Sequence, residues 1–79
     1  MSAKPNPMSD LTIGNRLKQW RAEKDLTQEA LAKLAGVSRK TINTVENGVF
    51  IPSVFLALVL AKQLGTTVES LFYLAREKS

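Results

Sequence analysis

The chain has 79 residues, enough for one compact domain but close to the size at which a single core gives only a few kcal/mol of stability. It contains neither cysteine nor histidine, which excludes disulfides and thiolate metal sites and removes the usual general base at neutral pH. Eleven lysines and arginines against seven acidic residues give a charge of +4, which favours a nucleic-acid partner but is not specific for one. We therefore expect no enzyme and no cofactor.

The N-terminal residues and the most apolar stretch predict where in the cell the protein is found. Residues 1–10, MSAKPNPMSD, contain two prolines and no apolar run, so they predict a flexible tail rather than a signal peptide, followed by one folded domain over 11–79. The stretch VFIPSVFLALVLA at 49–61 is shorter than the ~20 residues of a membrane-spanning helix. We therefore expect no membrane partner and a cytoplasmic location, with which the absence of cysteine is compatible.

Turn and cap signals divide the chain into five predicted helices, at 13–24, 28–35, 39–47, 53–64 and 68–72. Helix stops are predicted at three glycines, and helix starts at four hydroxyl residues that can act as N-caps: Gly36, Gly48 and Gly65, and Thr27, Ser38, Ser53 and Thr67. Ile13, Leu17 and Trp20 have the spacing of one buried helical face. Gly14 fits poorly in that helix, and a short strand-like alternation occurs near 11–13 and 72–74.

The stretch TQEALAKLAGVSRKTINTVEN, residues 27–47, has the pattern of a helix-turn-helix. Ala32 is small where two helices would cross closely, and Gly36 can take the positive φ of a tight turn. Val37, Ile42 and Val45 are predicted to turn inward and fix the second helix on the first. The alternative is a plain αα-hairpin inside another helical bundle.

The second helix of this motif is the candidate for reading DNA bases. With its aliphatic residues inward, its outer side carries Arg39, Lys40, Asn43 and Thr44. Arginine and lysine can bind guanine acceptors, asparagine can read adenine, and a threonine methyl can contact thymine. In helix-turn-helix proteins the N-terminal residues of this helix meet base edges in the major groove. The alternative is that these residues form an ordinary solvated helix face.

Phosphate contacts are predicted around the first helix of the motif. Gln28 begins this helix, where exposed amides and the helix dipole favour an anion. Thr27 and Ser38 are hydroxyl residues at helix starts, and their alternative role is capping alone. Lys24 is a further candidate, with a purely solubilising charge as the alternative.

The run NRLKQWRAEKDLTQEALAKLAGVSRKTINTVENGVFIPS, continuing to LAKQLGTTVESLF, resembles the Cro/repressor (Xre-type) class of bacterial and phage helix-turn-helix regulators. The resemblance implies an all-α, five-helix, lambda-repressor-like DNA-binding domain, in some members with a short terminal β-pairing. It also implies a homodimer on a two-fold symmetric operator in double-stranded DNA. A structural ion pair between an arginine late in the first helix and a glutamate late in the third maps to Arg21 and Glu46.

The fourth predicted helix is apolar on two sides. A helical wheel places Val54, Ala57, Ala61 and Leu64 on the core face. Phe55 and Val59 fall on the opposite side, at positions that are commonly polar in the resembling proteins. We expect these two residues, with Phe72 and Leu74, to form a dimer interface. The alternative is that Phe55 folds back against Phe50 or the C-terminal tail within one subunit.

Two classes of function remain open from the sequence. The first is a sequence-specific transcriptional regulator, expected to be a repressor that binds a palindromic operator through residues 39–47; an antitoxin or a restriction-modification controller belongs to the same class. The second is a helix-turn-helix interaction module, or an antitoxin acting in this way, that binds a protein partner through the apolar face of the fourth helix. No small-molecule effector site is evident.

Overall fold

The computed structural model describes residues 10–76, so the predicted tail lies outside the described residues except for Asp10. Five helices and a two-stranded antiparallel sheet follow one another along the chain. They are β1 (Leu11–Asn15), α1 (Leu17–Glu23), α2 (Gln28–Ala35), α3 (Arg39–Glu46), α4 (Val54–Gln63), α5 (Val68–Leu71) and β2 (Phe72–Arg76). This is the five-helix fold with terminal β-pairing that the resemblance implies.

The predicted caps are confirmed. Four hydroxyl side chains each accept a hydrogen bond from the backbone amide three residues later, which pairs one of the unsatisfied donors of the first helical turn. They are Thr27, Ser38, Ser53 and Thr67. Gly36 closes α2 at φ 76° and so makes the turn into α3 with a left-handed backbone that a larger residue adopts only at a cost.

The predicted start of the first helix is wrong, because residues 11–15 form a strand and α1 begins only at Leu17. β1 pairs with β2 from Leu11 opposite Arg76 to Asn15 opposite Phe72, so the two ends of the described chain hold each other. Residue 72, predicted at the end of the last helix, likewise belongs to β2. Pairing with backbone 57–65 residues further along the chain determined the conformation here, and local helical periodicity did not.

The sheet also explains why residue 14 is a glycine. A Cβ atom at this position would lie 2.5 Å from the Cε1 and Cζ atoms of the Tyr73 ring, which covers the glycine from the paired strand. The Arg16 guanidinium lies over the same ring, 4.2 Å from its centroid, in a cation–π contact. Gly14 therefore provides the space that lets the ring lie against the backbone.

The core lies between the helices and contains the inward residues of the helix-turn-helix. Its fully buried large side chains are Leu17, Leu31, Ile42, Val45, Leu60, Leu64 and Leu71. Ala32 is also buried, which confirms the predicted close crossing of α2 and α3, and Val37 packs against the core edge. Trp20 packs there from α1, whereas Ile13, expected on the same helical face, lies in β1.

The predicted core face of α4 needs one correction. Val54 is 77% exposed, and the buried residues are Ala57, Leu60, Ala61 and Leu64. On the face that carries Val54, packing therefore begins only at Ala57, although Leu56 in the first turn already packs against the core from another side. The wheel gave the angular position of Val54 correctly but could not show where along the helix the packing begins.

Candidate nucleic-acid interface

The four predicted base-contacting residues lie on the outer side of α3. Ile42 and Val45 are buried on the inner side, and this burial fixes the rotation of the helix. Arg39, Lys40 and Asn43 are exposed, while Thr44 is partly buried. The two cations lie in the first turn of α3, directly after the Ser38 cap. This end of the helix is therefore the exposed, positively charged end.

Asn43 is oriented by two other amide side chains. Its Oδ1 accepts hydrogen bonds from Gln28 Nε2 at 3.1 Å and from Asn47 Nδ2 at 3.3 Å. A carbonyl oxygen has two lone pairs, so both acceptor positions of Asn43 are used within the protein. Its amide hydrogens remain free to donate, which favours an acceptor on a base over the donor-and-acceptor pairing with adenine that the sequence suggested.

Gln28 connects α2 with α3. Its Nε2 also donates to Glu46 Oε1 at 3.0 Å, so the amide group predicted to meet a phosphate is bound within the protein. Thr27 and Ser38 use their hydroxyl oxygens to cap α2 and α3, at 3.0 and 3.1 Å from the capped nitrogens. The Lys24 ammonium lies 3.9 Å from the position that a Cβ atom on Gly65 would occupy, beside the turn that follows α4.

Arg21 and Glu46 form a nearly buried, two-pronged ion pair. Arg21 Nε lies 2.7 Å and Nη2 3.3 Å from the two carboxylate oxygens, and the side chains are 15% and 4% exposed. Nη1 donates to the Leu26 carbonyl at 2.7 Å. The guanidinium thus ties the end of α3 to α1 and to the loop before α2. This contact fixes the angle at which α3 is presented.

One part of this surface was missed by sequence reasoning. The backbone amides of Val49 and Phe50 both donate to the Thr44 carbonyl, at 2.9 and 3.1 Å, so the loop after α3 folds back on the helix end. An open cleft of about 290 Å³ lies between this loop and α3. The sequence signal for this cleft is the apolar pair directly after Gly48, Val49 and Phe50. The predicted helices leave this pair as a connection only.

The predicted dimer residues are not equally available. Phe55 is 77% and Leu74 72% exposed, whereas Val59 is half-buried and Phe72 packs against the core. Because Phe55 is so exposed, the alternative in which Phe50 covers it does not hold. Further exposed apolar residues lie in α4 and in the loop before it. The α4 apolar surface consists of Ile51, Val54, Phe55, Leu58 and Leu74.

A family model described as helix-turn-helix matches residues 17–71. The chain belongs to this family of Cro/repressor-type regulators. It is 50% identical over 58 residues to an uncharacterised HTH-type transcriptional regulator of Methanocaldococcus jannaschii, covering 73% of this chain and 88% of that protein.

Solved structures agree with this assignment. The restriction-modification controller protein C.AhdI of Aeromonas hydrophila is 36% identical, with a TM-score of 0.67 over 70% of this chain and 83% of that chain. The biofilm master regulator SinR, solved in complex with DNA, is 28% identical, with a TM-score of 0.66 over 70% of this chain and 89% of that chain.

The family assignment identifies a transcriptional regulator with a DNA-binding helix-turn-helix, in a family that is not enzymatic. Within residues 10–76, no group of three or more acidic side chains is arranged to hold a metal ion. No helix in the same range is both long and apolar enough to cross a membrane.

Proposed function

We propose that this regulator is a repressor that binds a palindromic operator as a homodimer, with α3 in the major groove of each half-site. The observation that carries the proposal is the exposed, cationic first turn of α3 on a helix whose orientation is fixed by the Arg21–Glu46 pair. In helix-turn-helix proteins this end of the helix meets base edges. Repression would follow from occlusion of a promoter, and we expect the protein in the cytoplasm with its DNA.

The roles proposed at the site follow from the contacts. Arg39 and Lys40 are exposed donors for guanine acceptors, Asn43 donates through its amide, and Thr44 presents a methyl group. Thr27 and Ser38 lie at the starts of α2 and α3, where backbone amides and the helix dipole favour phosphate. The Gln28 amide, expected from the sequence at a phosphate, donates to Asn43 and Glu46 and is proposed instead to orient Asn43. Lys24 is proposed as a further phosphate contact, although its ammonium reaches toward Gly65 at the turn after α4.

The homodimer is supported by the α4 apolar surface. Exposed large apolar side chains that lie near one another often mark a contact surface, and here Val54 and Leu58 line one open groove while Ile51 and Leu74 line another. Burying an exposed phenylalanine or leucine contributes roughly 1.5–3 kcal/mol, so two copies meeting symmetrically would gain several such terms. A dimer could set two α3 helices about 34 Å apart, which is one turn of DNA.

The same surface favours a second candidate function. A protein partner with a complementary apolar face could cover Phe55 and Leu58, as expected for an antitoxin or an interaction module. Two solved relatives support a DNA-binding regulator as the first choice. One is named a controller protein, and the other was solved in complex with DNA.

The decisive experiment is the selection of bound duplexes from a random DNA library, with stoichiometry and salt concentration recorded. We expect enrichment of a symmetric sequence bound by two chains, with an affinity that falls steeply with salt because phosphate contacts release counterions. The Arg39→Ala/Lys40→Ala variant should lose this binding and remain dimeric. The Lys18→Ala/Lys62→Ala variant removes the same charge from exposed positions on α1 and α4 and is the matched control. Absence of any enriched sequence would favour the interaction module.

A further inference from the structure

The loop after α3 holds two apolar side chains in fixed positions without burying them. Val49 and Phe50 are tied to the end of α3 through their backbone amides, which share the Thr44 carbonyl as acceptor. Their side chains are nevertheless 77% and 46% exposed. An apolar group that is fixed by the backbone and open to solvent loses little conformational freedom when a ligand covers it.

The cleft beside these residues has an apolar interior and a cationic rim. Lys40, Thr41 and Thr44 line it from α3, and Val49 and Phe50 line it from the loop. The Thr44 hydroxyl donates to the Lys40 and Thr41 carbonyls, both at 3.0 Å, so its hydrogen is bound within the helix. The Thr44 methyl is then the group left to meet a ligand.

We infer that this cleft receives the C5-methyl group of a thymine in the major groove, and that Val49 and Phe50 thereby contribute to operator specificity. The inference rests on the proposed function, because it places α3 in the groove. The wall of the cleft is α3 itself, so a base edge that meets Lys40 and Thr44 lies at its mouth. Among the four bases, thymine carries an apolar group on its major-groove edge.

DNA fits this cleft better than a second copy of the chain. A symmetric contact between two such clefts would bring Lys40 of one subunit toward Lys40 of the other, and Arg39 lies on the adjacent exposed position. This like-charge contact would oppose association, whereas the same two cations attract a duplex. The proposed dimer contact lies instead on α4 and β2.

The test replaces thymine by uracil, which removes the methyl group and leaves the base pair otherwise unchanged. In the selected operator, each thymine is replaced in turn, and the dissociation constant is measured for the full-length protein. We expect at least one position in each half-site where affinity falls by about fourfold per methyl lost. At that position we compare the dissociation constant for the uracil duplex with that for the thymine duplex. The ratio of the two constants should move toward one in the Val49→Thr and Phe50→Ala variants.

The Leu34→Ala variant is the matched control for Phe50→Ala, because Leu34 is 49% exposed, close to the 46% of Phe50, but lies on α2 outside the cleft and the α4 apolar surface. Its ratio of dissociation constants for the uracil and thymine duplexes should equal that of the parent, even if its overall affinity changes. Specific binding that is insensitive to every thymine methyl would overturn the inference and leave the proposed function intact. The inference would also be overturned, with the proposed function intact, if Val49→Thr and Phe50→Ala both kept the parent's ratio of dissociation constants. It would be overturned likewise if Phe50→Ala kept this ratio but dissociated the dimer. A chain that selects no DNA sequence would overturn the proposed function and this inference with it.

Discussion

The Arg21 guanidinium lies 2.7 Å from Glu46 and connects the first helix to the end of the helix proposed to read DNA. Both side chains are almost enclosed, and Gln28 adds a further hydrogen bond to the same carboxylate. The carboxylate therefore joins α1, α2 and α3 at one point. Loss of these contacts to the Glu46 carboxylate should lower both the stability of the fold and the affinity for DNA.

Glu46→Gln should lower the free energy of unfolding by about 3 kcal/mol, because it leaves the Arg21 charge nearly buried without a counter-charge. Chemical denaturation of the purified variant measures this. Glu69→Gln, at an exposed position in α5, is the control and should behave like the parent. Equal stability of Glu46→Gln and the parent would remove the structural role of the pair.

Gly14→Ala should destabilise the fold by about 1 kcal/mol, because the new methyl must displace the Tyr73 ring from its place over β1. The ring is the end of a movable side chain, which keeps the cost moderate. In a Tyr73→Ala background the clash is absent, so the same substitution should be neutral or stabilising. Thermal unfolding of the four proteins gives the coupling, and a cost that is the same in both backgrounds would contradict the contact.

Gln28→Ala should weaken operator binding by about tenfold, because Asn43 would lose the neighbour that orients its amide toward a base. Binding to random duplexes should change much less. Glu29→Ala, at the next and exposed position of α2, serves as the comparison in the same competition assay. An equal loss on operator and random DNA would instead assign Gln28 a phosphate role.

Phe55→Glu should shift the dimer toward monomer, because it places a charge in the α4 apolar surface of both subunits. The dissociation constant should rise by at least about a hundredfold if two phenylalanines are buried at the contact. Val49→Glu is equally exposed in the parent but lies outside that surface, so it should remain dimeric. Sedimentation equilibrium of the two variants tests this, and an unchanged mass for Phe55→Glu would refute the interface.

Sequence reasoning predicted the helix-turn-helix well, since its determinants are local. Thr27 and Ser38 cap helices through neighbouring amides, Gly36 turns the chain, and Ile42 and Val45 repeat with the helical period. Each of these signals is complete within a few residues of sequence. The proposed contacts of Arg39 and Lys40 remain predictions, because they depend on a DNA partner.

Other features depended on neighbours that are distant in the sequence. Periodicity predicted a helix from residue 13, but β2 pairs with residues 13–15 and holds them extended. A helical wheel put Val54 in the core, although packing on its face of α4 begins a turn later. The cleft between Val49 and Thr44 arises only when the loop folds back on α3.

The sequence by itself therefore determined the caps, the turn at Gly36 and the inward face of α3, because hydrogen bonds over three or four residues and the helical period specify them. The tertiary structure decided the extent and pairing of the strand at Gly14, for which the sequence showed only a short alternation, and it alone decided the bonding of Asn43 and the exposure of Val54. These features are set by side chains and backbone that lie far apart in the chain and meet only once the core has formed.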